Sequence, residues 1–156
     1  MKMDTNALYT YFKRALESGK TITLTKKIVG IYATGYDLYV VMKFNDEKIA
    51  DNVYKWGEWS IRAIEERFDE LVDALYEFLY NKALDTLARH LGFETVEELE
   101  EKTEIYDEAE GKIFCYLDDG IVYVAEFYNR NLEPFVAEDI ETHVFYLPRV
   151  MEVKDC

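Results

Sequence analysis

The side chains of this 156-residue chain whose types and spacing bear on chemistry are chiefly carboxylates. Two tripeptides, Glu110-Gly-Lys112 and Glu152-Val-Lys154, match the arrangement in which acids hold Mg²⁺ or Mn²⁺ and a lysine orients or activates water for phosphodiester hydrolysis. The chain holds 20 Glu and 12 Lys, so chance alone supplies about 1.5 such tripeptides and two carry no signal. The better of the pair has Asp107 upstream as a second ligand. It defines one alternative: a divalent-metal-dependent nuclease or other phosphodiester hydrolase, with Asp107, Glu110 and Lys112 as its catalytic residues and nucleic acid as its substrate.

Other reactive arrangements are absent from the sequence. His90 and His143 are the only histidines, and Gly92 interrupts the helical spacing that would let His90 and Glu94 share a metal. There is no Gly-x-Ser-x-Gly, no glycine-rich phosphate loop and no Cys-x-x-Cys. Cys115 and Cys156 read as a buried small hydrophobe and a terminal thiol. The leading expectation is therefore no enzyme, no metal and no cofactor.

A second set of carboxylates has a clearer pattern. Glu66, Glu70, Asp73 and Glu77 are spaced four, three and four apart, which puts them along one face of a helix, and Arg62 alone precedes them in that row as a partner for Glu66. Like charges so placed cost a few tenths of a kcal/mol each, on the order of measured helix pair energies. Such a row either keeps the protein in solution or meets a basic groove in the way a phosphate backbone does.

The whole-chain charge sharpens this reading. Net charge is −14, yet residues 1–45 hold seven basic and three acidic side chains while residues 46–156 hold 11 basic and 29 acidic. The five cations Lys13, Arg14, Lys20, Lys26 and Lys27, beside Tyr9, Tyr11 and Tyr32, form too small a patch to hold nucleic acid against the field of the remainder. That field repels nucleic acid and anionic membrane and attracts basic partners. The polar start lacks a signal-peptide core and no apolar run approaches the ~18 residues a bilayer requires, so the expected setting is cytoplasmic, without a membrane.

The elements that would position these residues follow from periodicity. Asp4, Thr5 or Asn6 caps a first helix with the stripe Leu8, Tyr11, Phe12, Ala15, ending at Gly19. Thr21–Thr25, Lys27–Ala33 and Tyr36–Phe44 alternate as strands, the last two flanking a turn at Thr34-Gly35. Residues 48–59 read as irregular. Ser60–Leu91 is one long amphipathic helix: Ser60 is its N-cap, Trp59 and Ile64 staple its entry, and Phe68, Leu71, Leu75 and Phe78 recur at three and four with Gly92 as the stop. Thr95 and Glu98 box a short helix from Val96 to about Lys102, and acid-rich 104–110 reads as a connection. Lys112–Leu117 and Ile121–Tyr128 flank Asp119-Gly120 as a hairpin. Asn129–Asn131 reads as a further turn, Pro134 as a bar to a central strand, His143–Leu147 as a strand ending at Pro148, and Val150–Val153 as a short edge strand.

Strands that arrive as hairpins predict a single α+β domain over 1–156: an antiparallel sheet with one long central helix and two shorter helices packed on one face. The function expected is that of a small acidic binding or inhibitory protein. It presents Glu66, Glu70, Asp73 and Glu77 to a basic protein surface, including one that otherwise holds nucleic acid. A helix of 32 residues runs ~48 Å, longer than the ~39 Å diameter of a spherical domain of this size. Its apolar residues also exceed half the circumference, so a homodimer through its C-terminal half is expected.

Overall fold

The computed structural model describes residues 5–32, 35–44, 52–55, 61–107, 109–134 and 139–153. It is α+β. Three helices, α1 (Thr5–Glu17), α2 (Ile61–His90) and α3 (Val96–Lys102), pack with one antiparallel sheet of β1 (Ile22–Tyr32), β2 (Gly35–Phe44), β3 (Asn52–Lys55), β4 (Glu104–Tyr106), β5 (Lys112–Tyr116), β6 (Val122–Pro134) and β7 (Asp139–Val153). The strand order is β3-β2-β1-β7-β6-β5-β4. Two meanders thus meet where the last strand, β7, pairs with the first, β1.

The helix ends follow from their residues. At Gly19 (φ 88°) the Lys20 N–H bonds Ala15 O at 3.1 Å and the Gly19 N–H bonds Leu16 O at 2.9 Å; at Gly92 (φ 83°) Phe93 N–H bonds Ala88 O at 2.8 Å and Gly92 N–H bonds Arg89 O at 3.2 Å. Both are paired closures of a helix C-terminus that need a residue at positive φ. Phe93 folds back onto the core as its position beyond Gly92 predicts. Thr95 accepts from the Glu98 N–H at 3.1 Å, and the Glu98 carboxylate accepts from the Glu94 N–H at 3.0 Å. Trp59 and Ser60 lie outside the described residues.

In α1 the inward stripe is Leu8, Phe12 and Leu16, with Tyr11 turned outward at 44% exposure. The i, i+4, i+8 row carries the contact, so Leu16 takes the place that the sequence reading gave Tyr11. In α2, Phe68, Leu71, Leu75, Leu79, Ala83 and Leu87 are buried in one cluster that also takes Ile22 and Leu24 from β1, Phe127 from β6 and Phe145 from β7. All three helices contribute to this cluster, on one face of the sheet.

The topology accounts for the length of α2. β3 and β4 are opposite edges of the sheet, so α2 and α3 must carry the chain across six strand gaps, ~29 Å. The 15 residues of β7 extend ~50 Å, which matches the ~45 Å of the 30-residue α2. A spherical domain was the wrong reference, because the β6–β7 hairpin is itself as long as the helix. The C-terminal half of α2 is also covered by its own chain: Leu79, Ala83, Leu84, Leu87 and Ala88 are all buried. The described residues of that half leave no apolar stripe exposed, so nothing there supports the expected homodimer.

Several segments are more extended than their local sequence suggests. Asn52–Lys55 and Glu104–Tyr106, read as irregular chain and connection, are the two edge strands. Asn129–Asn131 does not turn: β6 continues to Pro134, with Asn129 opposite Val144 and Asn131 opposite Thr142. β7 likewise passes through Pro148. There the register jumps from Glu126↔Arg149 to Tyr128↔Phe145, so Phe127 faces three residues, Tyr146 to Pro148. β1 pairs only as far as Phe145, so Pro148 lies past the neighbour that would need its missing N–H. The bulge also changes which parity faces the helices, from Phe145 to Val150.

Among the described residues, no helix covers the opposite face of β4–β7. Register and burial together set its side chains in three rows. One is Lys112–Glu126–Arg149, the next Tyr106–Phe114–Val124–Met151, and the third Glu104–Tyr116–Val122–Val153. The Asp119-Gly120 turn closes the end beyond the third row, with Leu117 N–H bonded to Ile121 O at 2.9 Å and Gly120 (φ 84°) the residue that needs positive φ. Among the described residues, four of the five exposed large hydrophobic side chains, Tyr106, Tyr116, Met151 and Val153, lie on this face.

Candidate functional site

The acidic surface is built by the outer side of the helical layer. α2 turns Phe68, Leu71, Val72, Leu75 and Leu79 toward the sheet, which leaves Glu70, Asp73 and Glu77 exposed along the far side. The side chain of Glu66 lies outside the described residues. Among the described residues, none of Glu70, Asp73 and Glu77 has an ion-pair partner. α3 adds Glu97, Glu100 and Glu101, all exposed. Over residues 61–102, the segment of α2 and α3, the sequence holds 12 acidic and five basic side chains, so half of the molecule's net negative charge lies in this segment. Two cations near it are already occupied: Lys13 and Lys82 flank the Phe78 ring with Nζ atoms 5.2 and 5.7 Å from its centroid.

A second polar constellation lies on the inner face of the sheet, under α2. Tyr128 Oη is 2.5 Å from His143 Nδ1, His143 Nε2 is 3.1 Å from Glu141 Oε1, and the same Oε1 is 2.7 Å from Arg130 Nη2. Arg130 Nη1 then stands 3.9 Å from Glu110 Oε1. The register explains the ladder. Tyr128 opposes Phe145 and Arg130 opposes His143, so Tyr128–His143 and Arg130–Glu141 are both diagonal neighbours on one face. Burial first, then the Glu110 carboxylate, with Arg130 acting in the other direction, pushes the Tyr128 phenol well above the ordinary tyrosine range. Tyr128 therefore keeps its proton and donates a hydrogen bond to Nδ1, so a neutral ring carries its own proton on Nε2, the nitrogen 3.1 Å from Glu141 Oε1.

This ladder is closed at its inner end. Tyr128 is 2% and His143 4% exposed, with the Phe68 ring 5.5 Å from His143 and the Tyr76 ring 5.3 Å from Tyr128. A substrate has no access to the phenol or the imidazole; the ladder meets solvent at its other end, through Arg130 and Glu110, 38% and 55% exposed, and in smaller part through Glu141. The arrangement braces β6 against β7. Gly111 belongs to the same brace. Its N–H donates to Tyr76 Oη at 3.0 Å, its carbonyl accepts from Phe127 N–H at 3.0 Å, and a Cβ added there would lie 2.2 Å from the Tyr128 carbonyl oxygen.

The catalytic set of the hydrolase alternative is divided by this geometry. Glu110 reaches toward Arg130 on the helix side of the sheet. Asp107, exposed beyond β4, acts on Tyr80 of α2, where burial and then the Asp107 charge raise the phenol above its ordinary value. Lys112 alternates with the fully buried Ile113 and pairs with Glu126, which puts it on the helix-free face. Among the described residues, no three His, Cys, Asp or Glu side chains gather into a metal-ligating group, and no helix is long and apolar enough to cross a membrane. His90 is exposed at the end of α2, its ring 5.3 Å from Tyr123, and Cys115 is buried with its thiol pushed up by that burial.

Sequence reasoning missed the Tyr128–His143–Glu141–Arg130 ladder. Its signal is two pairs at i, i+2, Tyr128/Arg130 and Glu141/His143, each pair on one side of a strand. That signal has meaning only once the two strands are known to be neighbours. Compared with protein-family models, with curated proteins and with solved structures, the chain matches none of them.

Proposed function

We propose that this chain is a small acidic binding protein, inhibitory where its target's basic surface otherwise holds nucleic acid. It acts by offering the outer side of α2 and α3 to that surface. The observation that carries this reading is the row Glu70, Asp73 and Glu77: exposed, without ion-pair partners among the described residues, and mounted on a helix whose other side is fixed in the core. Carboxylates held in this way present charge at helical spacing with little reorganisation on binding, and the surrounding excess of acids steers a basic partner toward them.

The test is recovery of basic proteins from a nuclease-treated extract of the source cell at low salt, comparing wild type with the double variant Glu70→Lys/Asp73→Lys, whose fold is checked by circular dichroism. Wild type is expected to retain such proteins without nucleic acid present, to release them as salt rises, and to lose them on charge reversal. Equal recovery by both proteins sinks the reading.

A further inference from the structure

The helix-free face of β4–β7 has no role in the acidic binding surface, which lies on the other side of the molecule. In a chain of net charge −14 its three rows carry two cations, Lys112 and Arg149, and two anions, Glu126 and Glu104. The three rows by themselves are therefore neutral. Between those charges run two apolar rows, with Met151 51% and Tyr106 43% exposed and Val122 and Val124 buried between their neighbours. A basic protein finds no attraction on it, and a nucleic acid finds no net positive charge.

A second copy of the same chain does fit it. The charges are not mixed evenly: the end with Lys112, Arg149 and Glu126 carries a net positive charge, the Glu126 carboxylate also accepting from the Tyr146 hydroxyl and the Arg149 guanidinium lying 5.0 Å from the Tyr146 ring. The far end holds Glu104 and the exposed hairpin acids Asp118 and Asp119. A two-fold axis across the strands lays the basic end of one face over the acidic end of its mate and the apolar middle row on itself. It also keeps the two strongly acidic helical layers pointing away from each other, where their repulsion is least. Any other apolar partner would have to supply this charge gradient in reverse, which a second copy does by symmetry.

We infer that the chain forms a face-to-face homodimer through the helix-free side of β4–β7, its strands antiparallel to those of the partner copy and its acidic helices outward. Four strands and three rows make a footprint of roughly 19 by 20 Å, about 400 Å² per copy, below the ~800 Å² per partner of a standard interface, so the dimer is a weak one.

Sedimentation velocity of the full chain from about 5 to about 300 μM, a span suited to weak association, tests this. Wild type is expected to shift from monomer to dimer with concentration. Met151→Glu and Tyr116→Glu, each at an exposed position and each with an unchanged circular dichroism spectrum, are expected to raise the dissociation constant at least ~tenfold. Lys112→Glu weakens the dimer, and adding Glu104→Lys to it restores association. A wild type that stays monomeric throughout overturns the inference. So does a dimer indifferent to Met151→Glu and Tyr116→Glu, and so does a Lys112→Glu/Glu104→Lys pair that weakens association further.

Discussion

The two faces of one sheet are put to opposite use. On the side under α2, Ile113, Ala125, Phe127 and Phe145 are wholly buried, and even the polar residues that point there, Tyr128 and His143, are closed off and joined to each other. On the other side, residues one position along the same strands are open to solvent in part: Phe114 is half-buried, Tyr116 is 37% and Met151 51% exposed, and charged residues lie at both ends of their rows. Strand alternation alone therefore does not say which apolar row is core. What decides it is where the helices lie, and they lie on one side because α2 and α3 must cross from edge strand β3 to edge strand β4 in a single pass.

Substitutions on the two faces should separate sharply. The largest effect is expected from Phe127→Ala, which empties a fully buried ring position between Tyr76 and Tyr80 of α2; it should cost about 3–5 kcal/mol in denaturant unfolding. A loss under 1 kcal/mol would mean that the helical layer is not seated as described.

Tyr128→Phe is expected to cost about 1–3 kcal/mol, because it leaves the buried Nδ1 of His143 without its donor. It should also change the pH profile. A tyrosine whose folded pKa lies above the unfolded value binds its proton more firmly in the native state, so its contribution is complete below the ordinary value of 10.0 and is lost as pH rises beyond it. Wild-type stability should thus fall above about pH 10, with about 1.4 kcal/mol per pH unit of that slope removed in Tyr128→Phe. An unchanged alkaline slope would place Tyr128 in contact with water.

The smallest effect belongs to the free face. Met151→Ser, at a residue of the same strand as Phe145 but 51% exposed, should alter monomer stability by less than about 0.5 kcal/mol. A cost as large as that of Phe127→Ala would show that this face is covered within a single chain.

How much of this could be read in advance differs between helices and strands. The ends of α1, α2 and α3 were legible because Gly19, Gly92 and the Thr95/Glu98 pair act within one turn of the chain. The 4-3-4 spacing of Glu66, Glu70, Asp73 and Glu77 was legible for the same reason, and the three of these with described side chains do lie exposed on the back of α2. The full lengths of β6 and β7 were not. Asn129–Asn131 and Pro148 carry turn chemistry locally, and strand pairing overrides it, of β6 with β7 on both sides of Pro148 and of β1 with β7 as far as Phe145. The bulge opposite Phe127 then shifts the parity of β7, so alternation read from one end of the strand gives the wrong face at the other. The buried ladder depends on that register and was invisible for that reason, as was the separation of Lys112 from Glu110.

We propose that the outer side of the helical layer is a binding surface and not only a solvated one. The measurement that bears on it most directly is the nuclease-treated recovery of basic proteins at low salt, run side by side for wild type, Glu70→Lys/Asp73→Lys and Met151→Glu. Wild type is expected to retain basic proteins that the charge-reversed protein does not, and Met151→Glu, altered only on the opposite face, is expected still to bind. Equal recovery by wild type and the charge-reversed protein would contradict it.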